Sequence, residues 1–367
     1  MATTTKTASN VSGADLVGSF TLSYLVSALL IGSLIYFADI WNFLANSRLL
    51  DLMIRAGVIK YQDNQAGFIE GIPDTKYFLM SQDPIQWQLV LLAIVLLVIY
   101  WVIKSLQFHG IAKVSGIAGT FSAHARAFLY GIGLNKLLPY NAGAVATSLE
   151  LRSQGAKLKN ALNAAFLARG FMVFEILFFS AVGLLVLGWA TWLLQIFWAL
   201  VIFGILYAFL RASRGGPEED AWGSFAAIKQ AVLSTTENPP AFIKLALISL
   251  IAFALEHTAA YVTAMAFTSK FVLLNVDFEI ILMGLVAGYI ARLVPLTPAG
   301  WGQFEWGFAS ALYLGGVGFP ESATIAIVFG LIRIGVALSA SFVTRLLYGV
   351  NTSTSDVLTA MTEAPPR

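Results

Sequence analysis

Six apolar runs, each near the roughly 20 residues that a helix needs to cross about 30 Å of hydrocarbon, divide this chain. They are Leu22 to Ile40, Gln86 to Ile103, Ala161 to Leu187, Thr191 to Leu210, Leu245 to Thr268 and Thr324 to Tyr348. Hydrocarbon tolerates only backbones whose polar groups are satisfied internally, so repeated runs of this length predict an all-α integral membrane protein. Composition agrees: 58% of the residues are hydrophobic and 11% charged, against about 45–50% and about 25% in a soluble domain. A net charge of +2 without any basic cluster gives no nucleic-acid footprint. The chain has no cysteine, and its three histidines, His109, His124 and His257, are widely spaced. No thiolate chemistry, metal site or cofactor is therefore expected.

Two further apolar regions, 117–150 and 278–314, are too long for one span and are broken in the middle. The second break carries Pro295, Thr297, Pro298, Gly300 and Gly302 between Arg292 and Glu305. Prolines remove backbone donors and glycines loosen a helix, and ionisable groups at membrane depth are costly enough to mark function. The first break, at Pro139, Asn141 and Gly143, follows Asn135 and Lys136 and is followed by Glu150 and Arg152.

Lys and Arg bias sets orientation. The loop 39–83 holds four basic residues, Arg48, Arg55, Lys60 and Lys76, against six acidic ones and is expected outside; Lys104, Lys113 and Arg126, then Arg152, Lys157 and Lys159, are expected inside. Region 117–150 must then enter from the inside and return, and region 278–314 must do the same from the outside. Opposite hairpins with a shared Pro and Gly pattern at their turns predict an inverted-topology repeat, in which broken helices meet near the midplane. The organisation expected is a disordered segment 1–15, a first half 16–210, a cytoplasmic linker 211–244 rich in Gly, Pro and acids, a second half 245–348, and a disordered tail 349–367. Both termini are expected in the cytoplasm of a plasma-membrane protein.

At these two breaks the chain resembles the membrane domain of the lysylphosphatidylglycerol synthetase/flippase family, the flippase part of the multiple peptide resistance factor and its stand-alone relatives. The residues that carry the resemblance are Asn135, Lys136, Leu137, Leu138, Pro139, Gly143, Glu150, Leu151 and Arg152, then Pro295, Pro298, Gly300, Gly302 and Glu305. The resemblance implies movement of a polar-headed lipid between leaflets, an aminoacylated phospholipid or a polyprenyl-linked sugar. It also implies no synthetase in this chain, because the residues after Tyr348 are too few to hold one.

Arg292 is the foremost candidate for a lipid phosphate, which a guanidinium binds bidentately; pairing with Glu305 is the alternative. Glu305 is read as a counter-charge, a proton-coupling carboxylate or a structural partner. A second set, Arg169, Glu175, Glu256, His257 and Arg333, lies inside apolar runs and forms either an interior charge network or a proton or substrate path. Gly284 and Gly288 read as helix packing. The expected function is a lipid flippase and not an enzyme, since Glu256 and His257 have neither nucleophile nor metal beside them. A polyprenyl-phosphate-sugar carrier and a non-transporting partner of a membrane glycosyltransferase stay open. The partners expected are membrane lipid, a further copy of the chain and a lipid-modifying enzyme.

Overall fold

The computed structural model describes residues 13–37, 86–138, 142–186, 238–267, 277–292, 297 and 300–363. Within them lie ten helices: α1 (Gly13–Phe37), α2 (Trp87–Val114), α3 (Phe121–Leu137), α4 (Ala142–Ser153), α5 (Leu158–Val186), α6 (Pro239–Met265), α7 (Phe278–Ala291), α8 (Gln303–Leu314), α9 (Phe319–Tyr348) and α10 (Thr354–Glu363). Four of them, α2, α5, α6 and α9, are long and apolar enough to cross a membrane. Helix α1 has only a shorter apolar stretch, Thr21–Ile35, and the run 191–210 lies outside the described residues. The outer surface is apolar: Leu91, Val95 and Val102 on α2, Leu247 and Ile251 on α6, and Phe342 and Leu346 on α9 are exposed. A helix apolar on the outside as well as the inside belongs in lipid.

Three differences from the sequence expectation concern the ends of segments: residues 13–15, expected in the disordered N-terminal segment, already belong to α1. Residues 239–244, expected in the linker, already belong to α6, because Asn238 caps the helix through Ala241 N–H (3.3 Å) and Pro239 and Pro240 suit the first turn, where no backbone donor is needed. Residues 354–363, expected in a disordered tail, form α10, whose Val357 is fully buried against Tyr130, Leu134 and Ala146.

Helices α3 and α4 form one hairpin, and α7 and α8 form the other. The open end of the first hairpin lies where Arg126 meets Glu150 (3.2 Å) and the end of α9, its Nη1 donating to Tyr348 O at 3.2 Å. That end of the bundle also receives the end of α2 and the start of α6, where Gln107 Nε2 donates to Leu245 O (3.2 Å). The second hairpin opens at the other end: His257 Nε2 lies 3.0 Å from Phe278 O, and Gln86 N–H donates to Ala266 O (3.2 Å), joining the start of α2 to the end of α6. The hairpins thus enter from opposite ends. The first end carries Lys113, Arg126, Arg152, Lys157, Lys159, Lys244 and Arg345 against the acids Glu150, Asp356 and Glu363, whereas the second carries Asp277, Glu279 and Glu321.

The helix contacts come in matched pairs. Helix α2 lies along α6; α4 lies on α5 as α8 lies on α9; α3 touches α9 as α7 touches α5; α2 touches α3 and α5 as α6 touches α7 and α9. Exchanging α2 with α6, α3 with α7, α4 with α8 and α5 with α9 maps each of these contacts onto another. Each hairpin closes through glycines. A Cβ on Gly143 would come 2.5 Å from Gly131 O, and one on Gly288 would come 2.7 Å from the Phe304 ring, so neither pair of helices tolerates a side chain there.

Candidate functional site

The two hairpin tips meet at a cavity of about 250 Å3. Asn135, Lys136, Gly143 and Thr147 line it from the first hairpin, Tyr289, Arg292, Thr297 and Gly300 from the second, and Lys104, Arg169, Glu256 and Arg333 from the helices around them. Each first half-helix ends in a cation: Lys136 stands in the last turn of α3 and Arg292 caps α7. The carbonyl end of a helix dipole favours positive charge there. Helix α4 begins at Ala142, so its N-terminal end, the positive pole of the dipole, also points at the cavity.

Backbone and side chains together place Arg292. Gly300 has φ 75°, and a Cβ on it would come 2.2 Å from Arg292 Cγ, so the arginine stem runs across the glycine. The guanidinium carbon lies 5.5 Å from the centre of the Tyr289 ring. The loop itself is clamped by Gln303, whose Oε1 accepts from Thr297 N–H (3.1 Å) and Thr297 Oγ1 (2.8 Å) while its Nε2 donates to Ala291 O (3.1 Å).

Charges elsewhere in the site are partly committed. Tyr289 donates its hydroxyl to Glu256 at 2.5 Å from Oε2 and 2.6 Å from Oε1, and Arg333 Nη1 lies 3.8 Å from Glu256 Oε1. Lys104 Nζ is 2.5 Å from Glu175, which also accepts from Ser249 Oγ. Among the described residues, neither Lys136 nor Arg292 forms an ion pair with a carboxylate. Among the described residues, buried Arg333 has no hydrogen-bond partner for Nε and Nη1.

Of the residues singled out in the sequence, the cavity gathers Asn135, Lys136, Gly143, Arg169, Glu256, Arg292, Thr297, Gly300 and Arg333. Pro139, Asn141, Pro295 and Pro298 lie outside the described residues. Glu305 is not among the lining residues and, among the described residues, does not pair with Arg292. It accepts Gly302 N–H at 2.7 Å and caps α8, because a carboxylate three residues into a helix reaches back to the free donors of the first turn. Gly302, at φ 80°, gives the chain the turn that this cap needs.

Glu150 is fully buried at the basic end, far along α4 from the cavity, and takes Asn351 N–H (3.1 Å), Thr352 N–H (3.2 Å) and Thr352 Oγ1 (3.1 Å). Arg152 is exposed at the same end. His257 ties α6 to α7, its Nε2 3.0 Å from Phe278 O and its ring packed on Phe278 with centroids 3.9 Å apart. Lys104, Tyr289 and Gln303 are site residues that sequence reasoning missed. Lys104 alone leaves a signal, a cation at the end of the run 86–103, which the charge count puts in the inside loop; it lies buried within α2 instead.

The family model described as lysylphosphatidylglycerol synthase TM region matches residues 74–352, which takes in both hairpins and the cavity. No curated protein and no solved structure matches the chain.

Proposed function

The chain belongs to the lysylphosphatidylglycerol synthase transmembrane-region family, and from that premise we propose that it is a lipid translocase, which holds a phosphate-bearing head group in the cavity and passes it between leaflets. The observation that carries this reading is the cavity's charge: five cations, Lys104, Lys136, Arg169, Arg292 and Arg333, line it against one carboxylate, Glu256. Glu175 and Glu256 hold two of these cations, while Lys136 and Arg292 face the cavity from opposite hairpin tips. A guanidinium binds phosphate through paired donors, and an ammonium serves as a point charge beside it. The head group thereby exchanges its hydration for fixed donors, and its hydrocarbon chains stay in lipid.

The matched helix contacts and the opposite hairpins support an inverted-topology repeat, of which α2 to α5 form one copy and α6 to α9 the other. Such repeats expose a central site to either side by rocking one copy against the other. The basic end is the cytoplasmic one by the positive-inside bias, which puts both termini in the cytoplasm of a plasma-membrane protein. Within this reading the chain moves lipid and does not modify it.

The experiment is transbilayer movement of fluorescent lipids in liposomes holding the purified protein, with anionic, zwitterionic and aminoacylated head groups in parallel. Movement selective for head group, lost in Arg292→Ala and Lys136→Ala, is the expected result. No movement above protein-free liposomes for any head group, with or without a proton gradient, would overturn it.

A further inference from the structure

Beside the polar cavity, a groove of about 740 Å3 opens between α2, α3 and α9. On α9 its wall is one helical face, Ile332, Gly335, Val336, Ser339, Ala340 and Val343, spaced by three and four residues. Arg333, next to Ile332, turns to the other side and lines the polar cavity. The same division holds on α2, where Val98 and Val102 face the groove and Tyr100 and Lys104 face the cavity. One residue, Trp101, lines both spaces. Trp101 is 8% exposed, and its buried indole N–H has no hydrogen-bond partner among the described residues.

The groove is open space and not loose packing. Gly335 lies inside an uninterrupted helix, where glycine costs about 1 kcal/mol against alanine, yet a Cβ on it would meet nothing within 4 Å. Among the described residues, no neighbouring helix needs its smallness. Val98, Val102 and Val343 are about half exposed, so the groove is open to the surrounding hydrocarbon. From Ile332 to Tyr348 it follows roughly 24 Å of helix at 1.5 Å per residue, more than one leaflet's share of the ~30 Å core.

We propose that this groove seats an acyl chain of the phospholipid whose head group occupies the polar cavity, with Trp101 as the partition between the two. The inference rests on the translocase reading and adds the lateral path by which the lipid is held: continuity through Trp101 joins an apolar channel to a cationic chamber, the two chemistries of one phospholipid. Arg126 stands at the interfacial end of the groove, tethered to Glu150 and Tyr348 O.

The native chain has no cysteine, so a bimane label on Ser339→Cys reports from the groove alone. In detergent, phosphatidylglycerol carrying a spin label on its acyl chain should quench that label saturably. Gly335→Leu fills the groove and should raise the half-saturating lipid concentration at least tenfold. Gly32→Leu, which places the same side chain in equally open space on α1, should leave it within twofold. Quenching that never saturates, or a Gly335→Leu value within twofold of the native one, overturns the proposal. So does displacement of the spin-labelled lipid by a polyprenyl phosphate and not by unlabelled phosphatidylglycerol. Head-group-selective movement in liposomes combined with either failure would leave the translocase standing without this path; saturable, Gly335-dependent quenching without movement would establish the groove and defeat the translocase.

Discussion

The guanidinium carbon of Arg333 lies 3.6 Å from the centre of the Phe304 ring. Helix α9 thereby presses its one buried cation onto the first turn of α8, with Glu256 at 3.8 Å on one side and the cavity on the other. A desolvated cation over a ring face contributes about 2 kcal/mol, and an ammonium cannot match the planar stacking that a guanidinium makes there. Arg333→Lys keeps the charge but loses the stack and the fork. Its lipid movement is expected to fall at least tenfold, and its melting temperature to drop as well. Movement at the native rate would show that Arg333 is only packing for α8.

Gly300 is held by two requirements at once, its φ of 75° and the Arg292 stem crossing over it. A left-handed conformation costs an L-residue roughly 1–2 kcal/mol, and the 2.2 Å approach to Arg292 Cγ forces the arginine to move as well. Gly300→Ala is therefore expected to lose head-group selectivity more than it loses stability. Titration with a short-chain anionic phospholipid, read by intrinsic fluorescence beside a melting curve, checks this; unchanged affinity would free Arg292 from the role given to it.

Lys104 and Glu175 form a buried pair at 2.5 Å that joins α2 to α5, with Gln107 Oε1 accepting from Lys104 at 2.9 Å. Removing one partner of such a pair strands the other charge and costs about 3–5 kcal/mol, whereas replacing both with apolar residues of similar size is often neutral. Lys104→Met and Glu175→Met should each lower the melting temperature markedly, and the double variant should recover most of the loss. A double variant as unstable as the sum of the singles would mean that the two residues do not act as a pair.

What the sequence made legible were features written in short stretches. The broken regions showed as Pro and Gly inside apolar runs, and the cations Lys136, Arg169, Arg292 and Arg333 stood out because charge inside an apolar run has few explanations. What it hid depends on distance along the chain. Tyr289 looks like any aromatic in an apolar run until Glu256, on another helix, is seen to accept its hydroxyl in both carboxylate oxygens. Gln303 matters only because Thr297, six residues before it, and Ala291, twelve before it, both meet its side chain. Glu305 misled for the same reason: a carboxylate beside Arg292 in sequence suggests an ion pair, but three residues into α8 it satisfies Gly302 instead.

That assignment of Glu305 is open to a direct check. A glutamine retains an acceptor for Gly302 N–H and forfeits only the charge at the helix N-terminus, about 0.3–1 kcal/mol. Glu305→Gln should therefore melt close to the native protein and keep the native pH profile of lipid movement. Loss of a pH-dependent limb in that variant would make the carboxylate a proton carrier.

Glu150 binds the end of the membrane domain to the segment beyond it. Its buried carboxylate accepts from Asn351, Thr352 and the Thr352 hydroxyl and faces Arg126 at 3.2 Å, and α10 then lies on α4 with Val357 in the cluster of Tyr130 and Ala146. Glu150→Ala takes the acceptor from the Asn351 and Thr352 N–H groups and the Thr352 hydroxyl and leaves Arg126 with Tyr348 O, at a cost of about 1–3 kcal/mol for each buried group left unsatisfied. Amide hydrogen exchange should then accelerate across 349–363 while α7 and α8, at the opposite end of the bundle, stay as protected as in the native protein. Because the first hairpin is braced by this contact and the second is not, lipid movement should slow without a change in head-group preference. Uniform deprotection of both hairpins would instead mean that Glu150 supports the whole bundle and not this one end.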